Sequence, residues 1–330
     1  LDTYLVALDG VTYFSSEKIS CPECSQRQDR EGIVHFYHSA ITPVIVKAGH
    51  DQVLPLPPEF IVPQDGHDKQ DCERAAAKRW LAQHQAHFAP HTVTYLGDDL
   101  YANHPVCQLI AETYQQFFIF VCKPDSHPGL YEWVAMLDKA GGVEKLTQRH
   151  WNGQQGELWT YRFVSQVPLR NGREALQVNW CELVITHETT GEILYHNAFV
   201  TNHPITVANV ANVVLAGRTR WKIENENNNT LKTKGYHLEH NFGHGHQHLS
   251  NVLICLNLLA FLVHTVQEIL TPAYQQLRQA LGARQTFFDD LRALTRYIIF
   301  ESWEALFLFM LDGLEIVSSQ KVVVNLRGLP

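Results

Sequence analysis

The order of its apolar runs constrains this chain more than any other feature. "TYLVAL" (residues 3–8) is strand-like and stops at Asp9 and Gly10. Strand patterns follow at 33–47, "IVHFYHSAITPVIVK", and at 53–62, "VLPLPPEFIV", the latter broken by prolines that cannot donate to a ladder. Residues 68–87 then read as a helix rich in alanine and charge, "HTVTYLGDD" as a short strand, 104–116 as a helix and "FFIFVCK" (117–123) as a buried-type strand. Three strands, helix, strand, helix, strand is the plan of a mixed α/β sheet flanked by helices. Further on the character changes. "ELWTYRFVSQVPLR" (157–170), "ALQVNWCELVITHE" (175–188) and "EILYHNAFVTN" (192–202) are aromatic and β-branched, separated by "NGRE" and "ETTGE", and predict an antiparallel meander. The helical signal returns near residue 204, with one long apolar helix over 248–270 and further helices over 272–315.

Composition narrows the class. The 330 residues are 45% hydrophobic and 18% charged, which is globular, and the net charge of -8 argues against broad electrostatic binding to nucleic acid. Arg218, Arg220, Lys222, Lys232 and Lys234 nevertheless form a local basic cluster. Seven cysteines, an odd number scattered over a long chain, do not make a disulfide scaffold and suit a reducing, cytoplasmic setting. There is no signal peptide pattern, and "NVLICLNLLAFLVHTV", interrupted by Asn257 and His264, reads as a buried helix rather than a membrane span. The opening "LDTYLVALDG" enters a strand at once, which suggests a missing N-terminal portion.

"GRTRWKIENENNNTLK" (217–232) sets Arg220, Glu224, Asn228 and Lys232 at four-residue steps, a polar stripe along one helix face. A packed helix would place an apolar stripe there, and the asparagines Asn227 to Asn229 are mediocre helix formers. The segment is either a solvated surface helix or a helix whose polar face looks into a site. Asp9 and Asp98 each end a predicted core strand. If those strands are neighbours, the two carboxylates meet at one sheet edge, where ligand sites of open α/β sheets lie. Taken singly, each is as well explained as a turn residue. Glu224 would add a third hard oxygen donor for a divalent metal.

In "LVALDG", "VTYLGDDLY", "GRTRWKIENENNNTLK" and "GYHLEHNFGHG" the chain resembles, over nearly its whole length, the catalytic domain of DDE transposases of bacterial insertion sequences. The resemblance implies a ribonuclease H-like fold with a β-rich insertion between the second aspartate and the glutamate. It divides the chain into the first part of the core (1–140), the insertion (141–203), the catalytic helix (204–247) and C-terminal helices (248–330), with the N-terminal DNA-binding region absent. One group of these enzymes carries Tyr, two residues, Arg, three residues, Glu, six residues, Lys on that helix. Arg220 and Glu224 match; Gly217 stands at the tyrosine position and Lys232 falls one residue late. The resemblance implies that Asp9, Asp98 and Glu224 hold two Mg²⁺ (or Mn²⁺) ions, about 3.5–4 Å apart in such sites. They would serve cleavage at transposon ends and strand transfer into target DNA, in a homodimer. Arg220 and Lys232 would bind phosphates. Trp221 would pack beneath the helix or stack on an extruded base, and Asp99 is the rival to Asp98. A stand-alone nuclease of the same fold and a decayed DNA-binding remnant are the alternatives.

"CPEC" places Cys21 and Cys24 at zinc-knuckle spacing, a candidate structural Zn²⁺ site beside the plainer reading of two reduced cysteines. His35 and His38 follow, but three positions apart on a strand they point to opposite faces. Cys72 or a histidine of "HLEHNFGHGHQH" is the expected further ligand. The run His237, His240, His244, His246 and His248 is interrupted by Gly243 and Gly245 and predicts a loop beside DNA; without H-E-x-x-H a zinc hydrolase is disfavoured.

Overall fold

The computed structural model describes residues 1–63, 71–240 and 248–316. The chain divides into two compact units, Leu1–Glu226 and Asn227–Pro330. The first opens with strands β1 (Tyr4–Ala7), β2 (Gly10–Ser16), β3 (Ser25–Gln28), β4 (Val34–Ile41), β5 (Val44–Val46), β6 (Leu54–Pro55) and β7 (Glu59–Ile61). Helix α1 (Glu73–His84), strand β8 (Val93–Gly97), helix α2 (His104–Gln108, prolonged by a π-helical turn over Leu109–Thr113), strand β9 (Phe117–Val121) and helix α3 (Pro128–Lys139) follow. Then come β10 (Glu144–Trp151), β11 (Gly156–Pro168), β12 (Gln177–His187), β13 (Ile193–Thr201) and helix α4 (Val210–Arg218).

One mixed sheet organises this unit, in the order β10-β11-β12-β13-β9-β8-β1-β5-β6. Its centre is parallel: β1 pairs with β8 and β8 with β9. Every residue of β8 is buried, as are the last four of β9, the near-continuous apolar run of strands covered on both faces. The crossover between β8 and β9 runs through α2, as parallel neighbours require. Helix α1 turns Ala76, Ala77, Trp80 and Leu81 to the core, and the buried Trp80 indole donates from Nε1 to the Pro57 carbonyl at 2.8 Å. The expected meander is present as β11 to β13, with β10 added at the edge. It is no separate sheet, because β13 pairs antiparallel with β9 and prolongs the core.

The first strands form a single bent hairpin. Ala7 pairs with Val44 in the large sheet, and Gly10 pairs with Ile41 in a small second sheet of β2, β4 and β3. The register is the same on both sides of the break, which spans Leu8–Asp9 and Thr42–Pro43. Pro43 has no N–H to offer the ladder there, and the Thr42 N–H donates to the Asp9 carbonyl at 3.1 Å to hold the bend. Asp9 therefore sits where one ribbon leaves the main sheet.

The second unit contains α5 (Asn229–Thr233), α6 (Leu249–Leu270), α7 (Pro272–Leu281), α8 (Arg284–Tyr297) and α9 (Trp303–Gly313). Its core gathers Tyr274, Leu277, Phe287, Phe307 and Leu311, with Tyr274 and Phe287 edge to face at 5.1 Å. The expectation of a buried helix over 248–270 fails. Only Ile254, Leu258, Phe261 and Thr265 of α6 are buried, one stripe at helical spacing, while Leu256 and Leu259 are each 54% exposed. By length and composition alone α6 is long and apolar enough to cross a membrane, contrary to the sequence expectation. Its polar interruptions are both engaged: Asn257 donates to the Tyr236 carbonyl at 2.8 Å, and His264 Nδ1 lies 3.0 Å from the Tyr274 hydroxyl.

Candidate active site

The pairing of β1 with β8 brings the two aspartates together. Ala7 lies opposite Leu96, so Asp9 and Asp98 each follow two residues beyond that matched pair. Two glycines flank them and make room. A Cβ on Gly10 would stand 2.5 Å from Oε2 of Glu73, and one on Gly97 would stand 2.8 Å from the Tyr101 ring. Into that space α1 delivers Glu73 from its first turn, and Tyr101, itself fully buried, donates its hydroxyl to Glu73 Oε1 at 2.8 Å. The Gly10 N–H is a further donor to the Glu73 carboxylate. Glu73 is thus a fourth carboxylate, one that the sequence reading passed over as part of a charged surface helix.

The third expected carboxylate arrives on an irregular helix. Beyond α4 the chain runs through a 3₁₀ turn, Thr219–Trp221, and a π-helical stretch, Ile223–Asn228, before α5. The predicted uniform polar face is therefore wrong. The wider π turn breaks the four-residue alignment, and Asn227 and Asn228 are buried rather than solvated. One pair of that alignment survives: Arg220 Nη1 lies 2.7 Å from Glu224 Oε1. Gly217, at the tyrosine position of the family pattern, is buried where α4 rests on the sheet, and a Cβ there would meet Ile119 and Phe199 at 2.9 Å. No tyrosine fits.

Electrostatics tie these groups into one cluster. Burial pushes the Asp9 carboxyl up to about 7, and the charges of Glu73, Glu224 and Asp98 push the same way, with Arg220 opposing them. Burial also raises Glu73, aided by Asp98 and opposed by Tyr101, Gly10 and Arg220. Four carboxylates thus share one guanidinium, a surplus of negative charge that suits hard cations. The oxygens do not close into a cage: among the described residues the one set of three donor atoms within 4.8 Å is Cys21, Cys24 and His38. Mutual repulsion and the Arg220–Glu224 ion pair both oppose closer approach of the oxygens.

The other expected residues fall elsewhere. Asp99 faces away from the cluster's chemistry, accepting the Lys123 N–H at 2.6 Å and lying 3.6 Å from His127. That leaves Asp98 as the second aspartate of the cluster. Trp221 does not pack beneath the helix; it is 45% exposed, with the Lys222 ammonium 5.2 Å from its ring centroid. Lys232 belongs to the second unit and pairs with Glu239 at 2.6 Å. Arg218 lies over the rings of Trp159 and Tyr195 at 4.9 and 4.5 Å, fastening α4 to the meander. Cys72 is exposed at the N-terminus of α1 and does not join the cysteine pair; His38 does. In the histidine run, His244 and His246 lie outside the described residues. No protein-family model matches the chain, and no curated protein matches it either.

Proposed function

We propose that this protein is a metal-dependent DNA transposase of the DDE type, with a ribonuclease H-like catalytic core. The observation that carries the reading is the meeting of Asp9, Asp98 and Glu224 around an Asp9 carboxyl pushed up to about 7. The strand order β6-β5-β1-β8-β9 supports it: an antiparallel hairpin joined to a parallel pair, with an acid beyond the ends of β1 and β8. Asp9, Asp98 and Glu224 would hold Mg²⁺, with Glu73 beside them. The bound ions would supply an activated water or DNA 3′-hydroxyl and stabilise the leaving 3′-oxygen.

The chain's own groups do the rest. Arg220, which pairs with Glu224 and offsets the charge of the cluster, would be the residue to grip a phosphate of the DNA. Exposed Trp221 suits stacking on a base, and Lys232, in the second unit, suits a phosphate contact. The partner is DNA, the working form a homodimer and the compartment the cytoplasm.

The test is Mn²⁺ binding by calorimetry together with nicking and joining of plasmid DNA. Glu224→Gln and Asp98→Asn are expected to abolish Mn²⁺ binding and to lower strand cleavage by at least about 10³-fold. Wild-type Mn²⁺ binding in both variants would overturn the reading. Nicks without joined products would make the protein a nuclease with the same site.

A further inference from the structure

A second cluster of metal-ligating side chains sits on the same bent hairpin, in the small sheet. The turn between β2 and β3 carries Cys21 and Cys24, and β4 carries His38. The sulfurs are 3.7 Å apart, and His38 Nε2 lies 3.3 Å from Cys21 Sγ and 3.5 Å from Cys24 Sγ. The two cysteines are free, and their sulfurs are not bonded to each other. Zn–S bonds of about 2.3 Å and Zn–N bonds of about 2.0–2.1 Å at tetrahedral angles require sulfurs about 3.8 Å apart and S···N separations of about 3.6 Å. The three observed edges lie within a few tenths of an ångström of those values. We propose that Cys21, Cys24 and His38 form a Zn²⁺ site with three protein ligands, which staples the turn between β2 and β3 to β4.

The surroundings are built for it. Cys24 and His38 are 2% and 3% exposed. The Cys24 N–H donates to the Cys21 carbonyl at 3.1 Å, closing the knuckle, and the Cys21 N–H points at Cys24 Sγ at 3.4 Å. The imidazole is fixed by two rings from consecutive residues of β2: Tyr13 stacks on it at 5.8 Å and Phe14 tilts against it at 5.8 Å. Consecutive strand residues normally point to opposite faces. Here a register shift between Thr12 and Phe14 lets both rings reach His38. His35, three positions earlier, points the other way and pairs with Asp29 at 3.0 Å. The staple lies on the hairpin that carries Asp9, so it would stiffen the ribbon that presents that carboxylate.

The test is metal content of the full chain, purified with zinc under reducing conditions and then dialysed. One zinc per chain is expected in the wild type, in Cys72→Ser and in Glu224→Gln, and less than a tenth of that in Cys21→Ser and Cys24→Ser. Cys21 is half-buried, so its replacement leaves the core filled. Cobalt reconstitution of the wild type, which needs no variant to fold, is expected to give a thiolate-to-cobalt charge-transfer band and strong visible bands of tetrahedral Co²⁺. Zinc-free wild type without that band, or full zinc in both cysteine variants, would overturn the proposal. Because Glu224→Gln keeps its zinc, loss of the Mg²⁺ reading leaves this result standing, and the reverse.

Discussion

Two candidate metal sites hang on one hairpin, and they are poised differently. At the bend, Asp9 meets three further carboxylates whose charges repel, and the oxygens stay apart. Farther along, two sulfurs and an imidazole already lie at coordination distances. Burial pushes the Cys24 thiol up to about 11, so without metal it is neutral and can touch its neighbours. Carboxylates whose charges repel one another cannot. The lesson is that a preformed ligand cage is the mark of donors that are neutral when empty. An acidic site of the opposite kind is recognised by its raised carboxyl and its lone counter-ion, not by short oxygen contacts.

The widest separation between the two sites should be seen in metal-free stability. Asp9 titrates higher in the folded chain, about 7, than in the unfolded one, so its contribution is full below about pH 4, is lost as pH rises toward 7, and is flat above. Metal-free Asp9→Asn is therefore expected to be up to about 4 kcal/mol more stable than wild type at pH 8 in urea titrations. A destabilised Asp9→Asn would mean that the cluster is not electrostatically frustrated. Next in size, Mn²⁺ affinity should rise about tenfold per pH unit from pH 5 to 7, as binding displaces the Asp9 proton, and level off above. Calorimetry over that range would show it, and a flat profile would remove Asp9 from the ligand set.

Glu73→Gln should weaken Mn²⁺ binding about tenfold and start the plateau at lower pH, since one like charge has gone. Unchanged affinity and an unchanged plateau would reduce Glu73 to a partner of Tyr101. The smallest effect is expected from Asp99→Asn. Its Mn²⁺ affinity should stay within about twofold of wild type, while loss of a charge-assisted acceptor for the Lys123 N–H costs about 1 kcal/mol. A large loss of metal binding would put Asp99 in place of Asp98.

Much of the core was legible because its strands are buried on both faces. "TYLVAL", "HTVTYLG" and "FFIFV" read as strands from composition alone, and an acid just after two of them marked the sheet edge. Two outer strands were not legible. β3 reads "SQRQ" and β10 reads "EKLTQRHW", with little burial in either, so no alternation announces them. Helix α3, with only Leu130 and Val134 buried, escaped notice too. Glu73 was missed because an acid in the first turn of a charged helix looks like ordinary surface. The signal that could have found it is paired: Gly10 directly after Asp9 and Gly97 directly before Asp98, two places where a Cβ would collide with a neighbour.

By itself the chain determined its alternation of strands and helices, the positions of Asp9 and Asp98, and the cysteine spacing, because each depends on neighbours in sequence. Tertiary structure decided the rest: that β1 lies beside β8, that α1 brings a fourth carboxylate, that His38 rather than Cys72 reaches the cysteines, and that only one stripe of α6 is buried. The physical reason is common to all four. Pairing register, burial and charge coupling are properties of surfaces brought together, and a run of apolar residues carries the same pattern whether or not another element covers it.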